Sequence, residues 1–177
     1  MAQGVPSADT VRAAVALAGR APSIRNSQPW LWTMREMTLR LSAARRRWLP
    51  ATDPAGRDLL LSCGAALHHA QVAFAALGWS SHAHRAPNEQ DPEHLASLDF
   101  SPAAPTEHEL ALCAAIETRR SDRRPYSGPA VAQDDLQRIM AAAQRPGVGV
   151  DRIDAGADRS ALHDLVRRAM QDRTGDP

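Results

Sequence analysis

The chain of 177 residues is 44% hydrophobic and 23% charged, enough to bury one ordinary core and too short for a large multidomain machine. Its 21 basic residues are all arginine and face 20 acidic ones, so a net charge of +1 gives no field for bulk nucleic acid or an anionic membrane. Without lysine there is no Schiff base, lysine general base or P-loop lysine, whereas the fixed forks of arginine are available for phosphate or carboxylate.

The opening MAQGVPSADT has no basic region followed by an apolar run, so no signal peptide is expected. A first helix is expected over Ala8–Gly19, with Asp9 and Thr10 as capping residues and Val11, Ala14, Val15 and Ala18 on one side. The loop RAPSIRNSQPW then leads into a strand, LWTM, and MTLRLS follows as a second strand in which Met37, Leu39 and Leu41 alternate. A long helix is expected over Arg57–Leu77, burying Leu60, Cys63, Leu67 and Phe74, with Gly78 ending it. Ser62, Gly64, His68, His69 and Gln71 interrupt its apolar run, so no membrane span is expected.

Further on, WSSHAHRAP reads as extended and LASLDF as a strand, followed by a helix over Thr106–Thr118. Charge density then rises in RRSDRRPYSGPA. Helices over Asp134–Gln144 and Asp158–Met170 flank a short strand in VDRIDAG. Interspersed helices and strands give an α+β fold of mixed α/β layers. Cys63 and Cys113 sit in periodic apolar segments and read as reduced core residues, which places the chain in the cytoplasm.

The common catalytic signatures GxSxG, HExxH, GxGxxG and Walker A are absent. His68 and His69 are adjacent on a helix, so their side chains should diverge, and with no third ligand nearby no metal is expected there. His82 and His84 share one face of a strand and read as an exposed edge or a ligand contact, and ARRRWLP reads as a solvated basic face or an anion grip.

Two segments stand above this background. APSIRNSQPW combines backbone restriction at Pro22 and Pro29 with the short donors and acceptors of Ser23, Asn26 and Gln28, anchored by Trp30. It is either a platform for a planar heteroaromatic ligand or a rigid connection with satisfied internal hydrogen bonds. Asn26 is expected to tolerate alanine structurally. The second segment, RRSDRRPY, places four guanidiniums and a hydroxyl within six residues, an inventory suited to phosphate or to a charged solvated linker.

Together, APSIRNSQPW, DPAGRDLLLSCGAALHHAQVAFAALGW and RRSDRRPY resemble the N-terminal half of the Acg-like branch of the FMN-dependent nitroreductase family, over about Val11 to Gly147. The resemblance implies a nitroreductase-like FMN-binding fold in two units, 1–112 and the start of a truncated second unit, 113–177. It also implies FMN as cofactor, NAD(P)H and a small electron-poor acceptor as partners, and either a homodimer or a chain completing the second half. Pro22, Ser23, Ile24 and Asn26 match the loop that meets the flavin ring and ribityl chain. Arg119, Arg120, Ser121 and Arg123 match the motif holding the phosphate and the polar ring edge. Ile24 stands where other members often have a polar residue, so a hydrogen bond there would come from its backbone. No side-chain nucleophile is required, and no catalytic residue is assigned. The alternative is a non-catalytic flavin-sequestering protein or a truncated inactive paralogue. The short second unit is expected to leave an apolar sheet face or an unpaired edge open to a partner.

Overall fold

A computed structural model describes residues 4–122, 124, 128, 130–144, 148–153 and 156–174, the side chains of 170–174 excepted. Helix α1 (Ala8–Ala18) is capped by Ser7, one residue before the expected start, whose Oγ accepts the Thr10 N–H; Asp9 instead adds a favourable charge to the first turn. A loop holding the 3-10 turn Ile24–Asn26 leads to strands β1 (Trp30–Arg35) and β2 (Thr38–Ala43). They pair with Trp32 opposite Leu41 and Met34 opposite Leu39. Met37, expected among the alternating strand residues, lies in the turn and is 45% exposed.

Helix α2 (Arg57–Ala76) begins over a buried acid. Asp53 Oδ2 accepts the Leu59 N–H at 2.9 Å, while the Asp53 carbonyl accepts Trp48 Nε1–H at 2.8 Å. A carboxylate here satisfies an orphan donor and faces the positive helix end. Cys63, Leu67 and Phe74 are buried as expected, but Leu60 sits at the margin of the stripe, 52% exposed, and Leu59 takes the inward place. Gly78, at φ 86, turns the chain out of α2 in a conformation that glycine adopts without penalty.

Strands β3 (Trp79–Arg85) and β4 (His94–Pro102) complete an antiparallel sheet in the order β1-β2-β4-β3. Its inner face, with Leu39, Leu41, Ala96, Leu98 and Phe100, meets α2, where Phe74 tilts against Phe100 at 4.5 Å. Helix α3 (Glu107–Thr118) and α1 both pack on α2. Ala14 and Ala18 of α1, with Ala66, Ala70 and Ala73 of α2, are fully buried, and such small side chains let helix backbones approach closely. Helix α2 is long and apolar enough to cross a membrane, with a mean hydropathy of 1.4, but here it is the central core helix.

The outer sheet face is polar, so of the expected apolar sheet face or unpaired edge the first does not occur in this sheet. Thr33, Arg40, Ser97 and His84 lie in one cross-strand row, and the face is tied by Arg40–Asp91 (2.5 Å), Thr38–Asp99 (3.1 Å) and His84–Asp99 (2.8 Å). An antiparallel sheet covered on one side only needs such an alternation. Among the described residues, β1 and β3 remain as edges without a further strand partner.

The chain divides by contacts between Asp122 and Arg123. The expected boundary between residues 112 and 113 falls inside α3, whose Ile116 is buried in the first unit. The second unit contains α4 (Gln133–Ala143) and α5 (Ala157–Thr174). The strand expected in VDRIDAG does not form at residues 150–153; a single bridge occurs at Val148, and Arg152 instead donates to Gln133 Oε1 at 2.7 Å. No second strand is described in this unit to pair with it. None of the side chains described in this unit is buried.

Candidate functional site

The loop expected to face a ligand is held in an unusual backbone conformation. Arg25, Asn26 and Gln28 have φ values of 47, 56 and 48°, in the left-handed region that costs most residues energy. Local bonds hold it there. Ser23 Oγ accepts the Gln28 N–H at 3.0 Å, and the Asn26 and Ser27 N–H groups donate to the Ser23 and Ile24 carbonyls. From outside, Ile24 N–H donates to Ser62 Oγ of α2 at 3.2 Å, Cys63 Sγ–H donates to the Pro29 carbonyl, and Arg47 Nη1 donates to the Gln28 carbonyl at 2.9 Å.

Both readings of the loop therefore find a part here. Ser23 and the Ile24 N–H are engaged in bracing, whereas Pro22 and Asn26 are exposed at its rim. The Ile24 backbone is thus already occupied at the position where a ligand bond was expected. Asn26 does not sit in a conformation suited to alanine, because its φ of 56° favours asparagine or glycine. Ser62 and Arg47 were not singled out from sequence. Ser62 lies 38 residues from its loop partner, and no local pattern announces such a contact.

Arg119 comes to the same side of the first unit. Its Nη2 donates to the Arg20 carbonyl at 3.0 Å, two residues before Pro22, while Arg20 Nη2 donates to the Glu117 carbonyl at 2.9 Å. These reciprocal bonds place cations at the C-terminal ends of α1 and α3, where unpaired carbonyls favour them. Arg119 Nη1 also reaches Ser121 Oγ at 3.3 Å, but its Nε is buried without a hydrogen-bond partner. Arg120 is partly committed, its Nη1 donating to the Glu117 and Arg119 carbonyls. Arg123 lies outside the described residues.

Among the described residues of the first unit, two grooves bear on a ligand. The larger, about 600 Å³, has apolar walls from Leu60, Cys63, Leu67 and Leu95 and a rim that includes Asp91 and His94. Burial pushes the Cys63 thiol up to about 12, so it stays a protonated core group, and both cysteines are free thiols. The smaller groove, about 420 Å³, lies between α2 and α3 and includes His69 and Arg119. Neither groove is lined by Pro22–Asn26. Among the described residues, no cluster of three or more His, Cys, Asp or Glu side chains could hold a metal ion.

No family model matches the chain. A protein of Mycobacterium tuberculosis H37Rv named "Putative NAD(P)H nitroreductase Rv3131" is 43% identical over 171 residues, 97% of this chain and 49% of that protein. The same organism's protein named "Putative NAD(P)H nitroreductase acg" is 49% identical over 122 residues, 68% of this chain and 37% of that protein. The chain thus spans about half the length, or less, of these relatives. The solved structure of the hypothetical oxidoreductase YcnD from Bacillus subtilis aligns over 80% of this chain and 74% of that chain, with 14% identity and a TM-score of 0.49. By its sequence similarity, this chain belongs with the mycobacterial nitroreductase/Acg proteins as their close homologue at family level.

Proposed function

We propose that this chain contributes an FMN-binding surface to a cytoplasmic, NAD(P)H-linked oxidoreductase that reduces a small electron-poor acceptor. The observation supporting the reading most directly is the approach of Arg119, with its buried unpartnered Nε, to the base of the strained loop Pro22–Asn26. An arginine N–H left without a partner suits a phosphate, and an exposed asparagine amide suits the polar edge of a flavin ring. In this reading Pro22, Ser23, Ile24 and Asn26 shape and present the loop, and Arg119, Arg120 and Ser121 hold the phosphate end. When bound, FMN would supply the redox chemistry, accepting hydride from NAD(P)H and passing reducing equivalents to the acceptor. The chain's own residues bind and orient; no catalytic side chain is needed.

The second reading, a flavin-sequestering protein without turnover, is favoured by the hydrogen bonds that already occupy the Ile24 N–H and one Arg120 nitrogen. Titration of the full chain with FMN, followed by anaerobic addition of NADPH or NADH, tests both. A saturable flavin spectrum that bleaches with nicotinamide supports the oxidoreductase. Binding without bleaching supports the store, and absence of binding contradicts both.

A further inference from the structure

His69 is unexplained by the reading above. Its Nδ1 is buried without a hydrogen-bond partner, and it lines the α2–α3 groove with Arg119, whose Nε has the same condition. A buried polar atom left unpaired costs free energy, and two such atoms in one groove call for a common explanation. Sequence reasoning set the adjacent histidines aside because their side chains should diverge. In the fold both line this groove, with ring centroids 6.3 Å apart.

Val72, Leu112 and Ile116 give the groove apolar walls, and its volume of about 420 Å³ has room for a small organic molecule. We propose that the α2–α3 groove is an oxyanion subsite. Arg119 Nε and His69 Nδ1 donate to the phosphate or carboxylate of a small ligand whose apolar body lies against Val72, Leu112 and Ile116. Where the ligand is FMN, only its phosphate end would occupy this groove, the ring lying at the Pro22–Asn26 loop, so this inference then rests on the flavin reading and adds His69 to it; the groove's own chemistry requires only an organic anion.

The electrostatics agree. Burial first, and then the charges of His68 and Arg119, hold His69 below the ordinary histidine range. The empty groove therefore favours neutral His69 at neutral pH, and an anion opposes both charge effects. Binding is then accompanied by proton uptake at His69, and affinity increases as pH falls through the bound-state pKa and levels off below the free-state one. The groups facing His69 are His68 on the same helix and Arg119 beyond α3.

The test follows the imidazole resonances of the full chain, labelled with nitrogen-15 histidine, during titration with phenyl phosphate, benzoate, FMN or sodium chloride. His69 should shift saturably toward the protonated form with phenyl phosphate or benzoate and not with chloride, while the exposed His108 and His163 stay in place. In calorimetric titrations with phenyl phosphate, His69→Gln and Arg119→Lys should each weaken the affinity by about ten-fold, the loss of one charge-assisted bond. His69→Leu guards against misfolding as the cause: at a binding site it abolishes the calorimetric binding signal of phenyl phosphate while leaving the melting temperature equal or higher, because the orphan nitrogen is gone.

A His69→Leu chain that melts earlier, with organic-anion affinity unchanged, would make His69 structural and overturn the proposal. Equal drift of all histidines would overturn it too. FMN binding without a His69 response would leave the flavin reading standing and this one refuted. A response to phenyl phosphate without FMN binding would do the reverse.

Discussion

Trp30 and Asn26 lie four residues apart and serve different ends. Trp30 is 8% exposed within the core cluster, so Trp30→Ala should cost roughly 3–5 kcal/mol, enough to bring a domain of this size near unfolding. Asn26 is exposed, but its backbone lies at φ 56°. Asn26→Ala should therefore lose roughly 1 kcal/mol through the backbone alone, and Asn26→Gly little or nothing. If the amide meets the flavin ring, both Asn26 variants weaken FMN binding by similar factors despite their different stabilities. Thermal melts of the three proteins beside FMN titrations check this. Equal FMN affinity in Asn26→Gly and the unaltered chain would make the amide irrelevant to the ligand. Much of this was readable locally: the punctuated loop and the anchoring tryptophan stand in eleven consecutive residues. The bracing by Ser62 and the bond from Arg119 to Arg20, 99 residues apart, arise only from tertiary packing.

Helix boundaries were legible wherever capping chemistry is written in the chain. Thr106 and Glu109 form a reciprocal capping box at the start of α3, one residue from the expected limit. The Thr106 backbone N–H, and then its hydroxyl, hold the Glu109 carboxyl below the ordinary glutamate range. Because the folded pKa is the lower one, the stabilisation is complete above the unfolded-state value and disappears as pH falls through the folded value. Melting temperature should therefore fall on acidification in that window more steeply for the unaltered chain than for Glu109→Gln. Identical profiles would show that the box contributes nothing to acid sensitivity. Periodicity also located α2, but its hydrophobic run surrounds much of the helix, so the sequence favoured Leu60 where packing buries Leu59. No strand forms in VDRIDAG at residues 150–153, for a complementary reason: alternation describes a strand only where another strand is present to pair with it, and none is described in the second unit.

The two units differ in how they bury apolar side chains. The first encloses a core, whereas in the second Val131, Ile139, Leu165 and Val166 are among the exposed apolar residues and none of the described side chains is buried. Relatives extend to about twice this length, and exposed apolar faces of this kind favour association. We propose that the second unit is where this chain associates, with a second copy of itself or with another chain. The polar outer face of the sheet removes the apolar sheet surface as a reason, leaving the strand edges and the second unit. Light scattering across a dilution series, combined with limited proteolysis, should show a dimer that protects the segment after Asp122. A monomer at every concentration with that segment equally resistant would contradict the association.

The central claim, that Arg119 holds the phosphate of a flavin at the base of the Pro22–Asn26 loop, is tested most directly by titrating FMN and riboflavin into the unaltered chain and Arg119→Ala. A charge-assisted bond is worth roughly 1.5–3 kcal/mol, so FMN affinity should fall by about ten-fold or more while riboflavin, lacking the phosphate, changes little. Equal weakening of both ligands, or no change in either, would contradict the assignment of Arg119 to the phosphate.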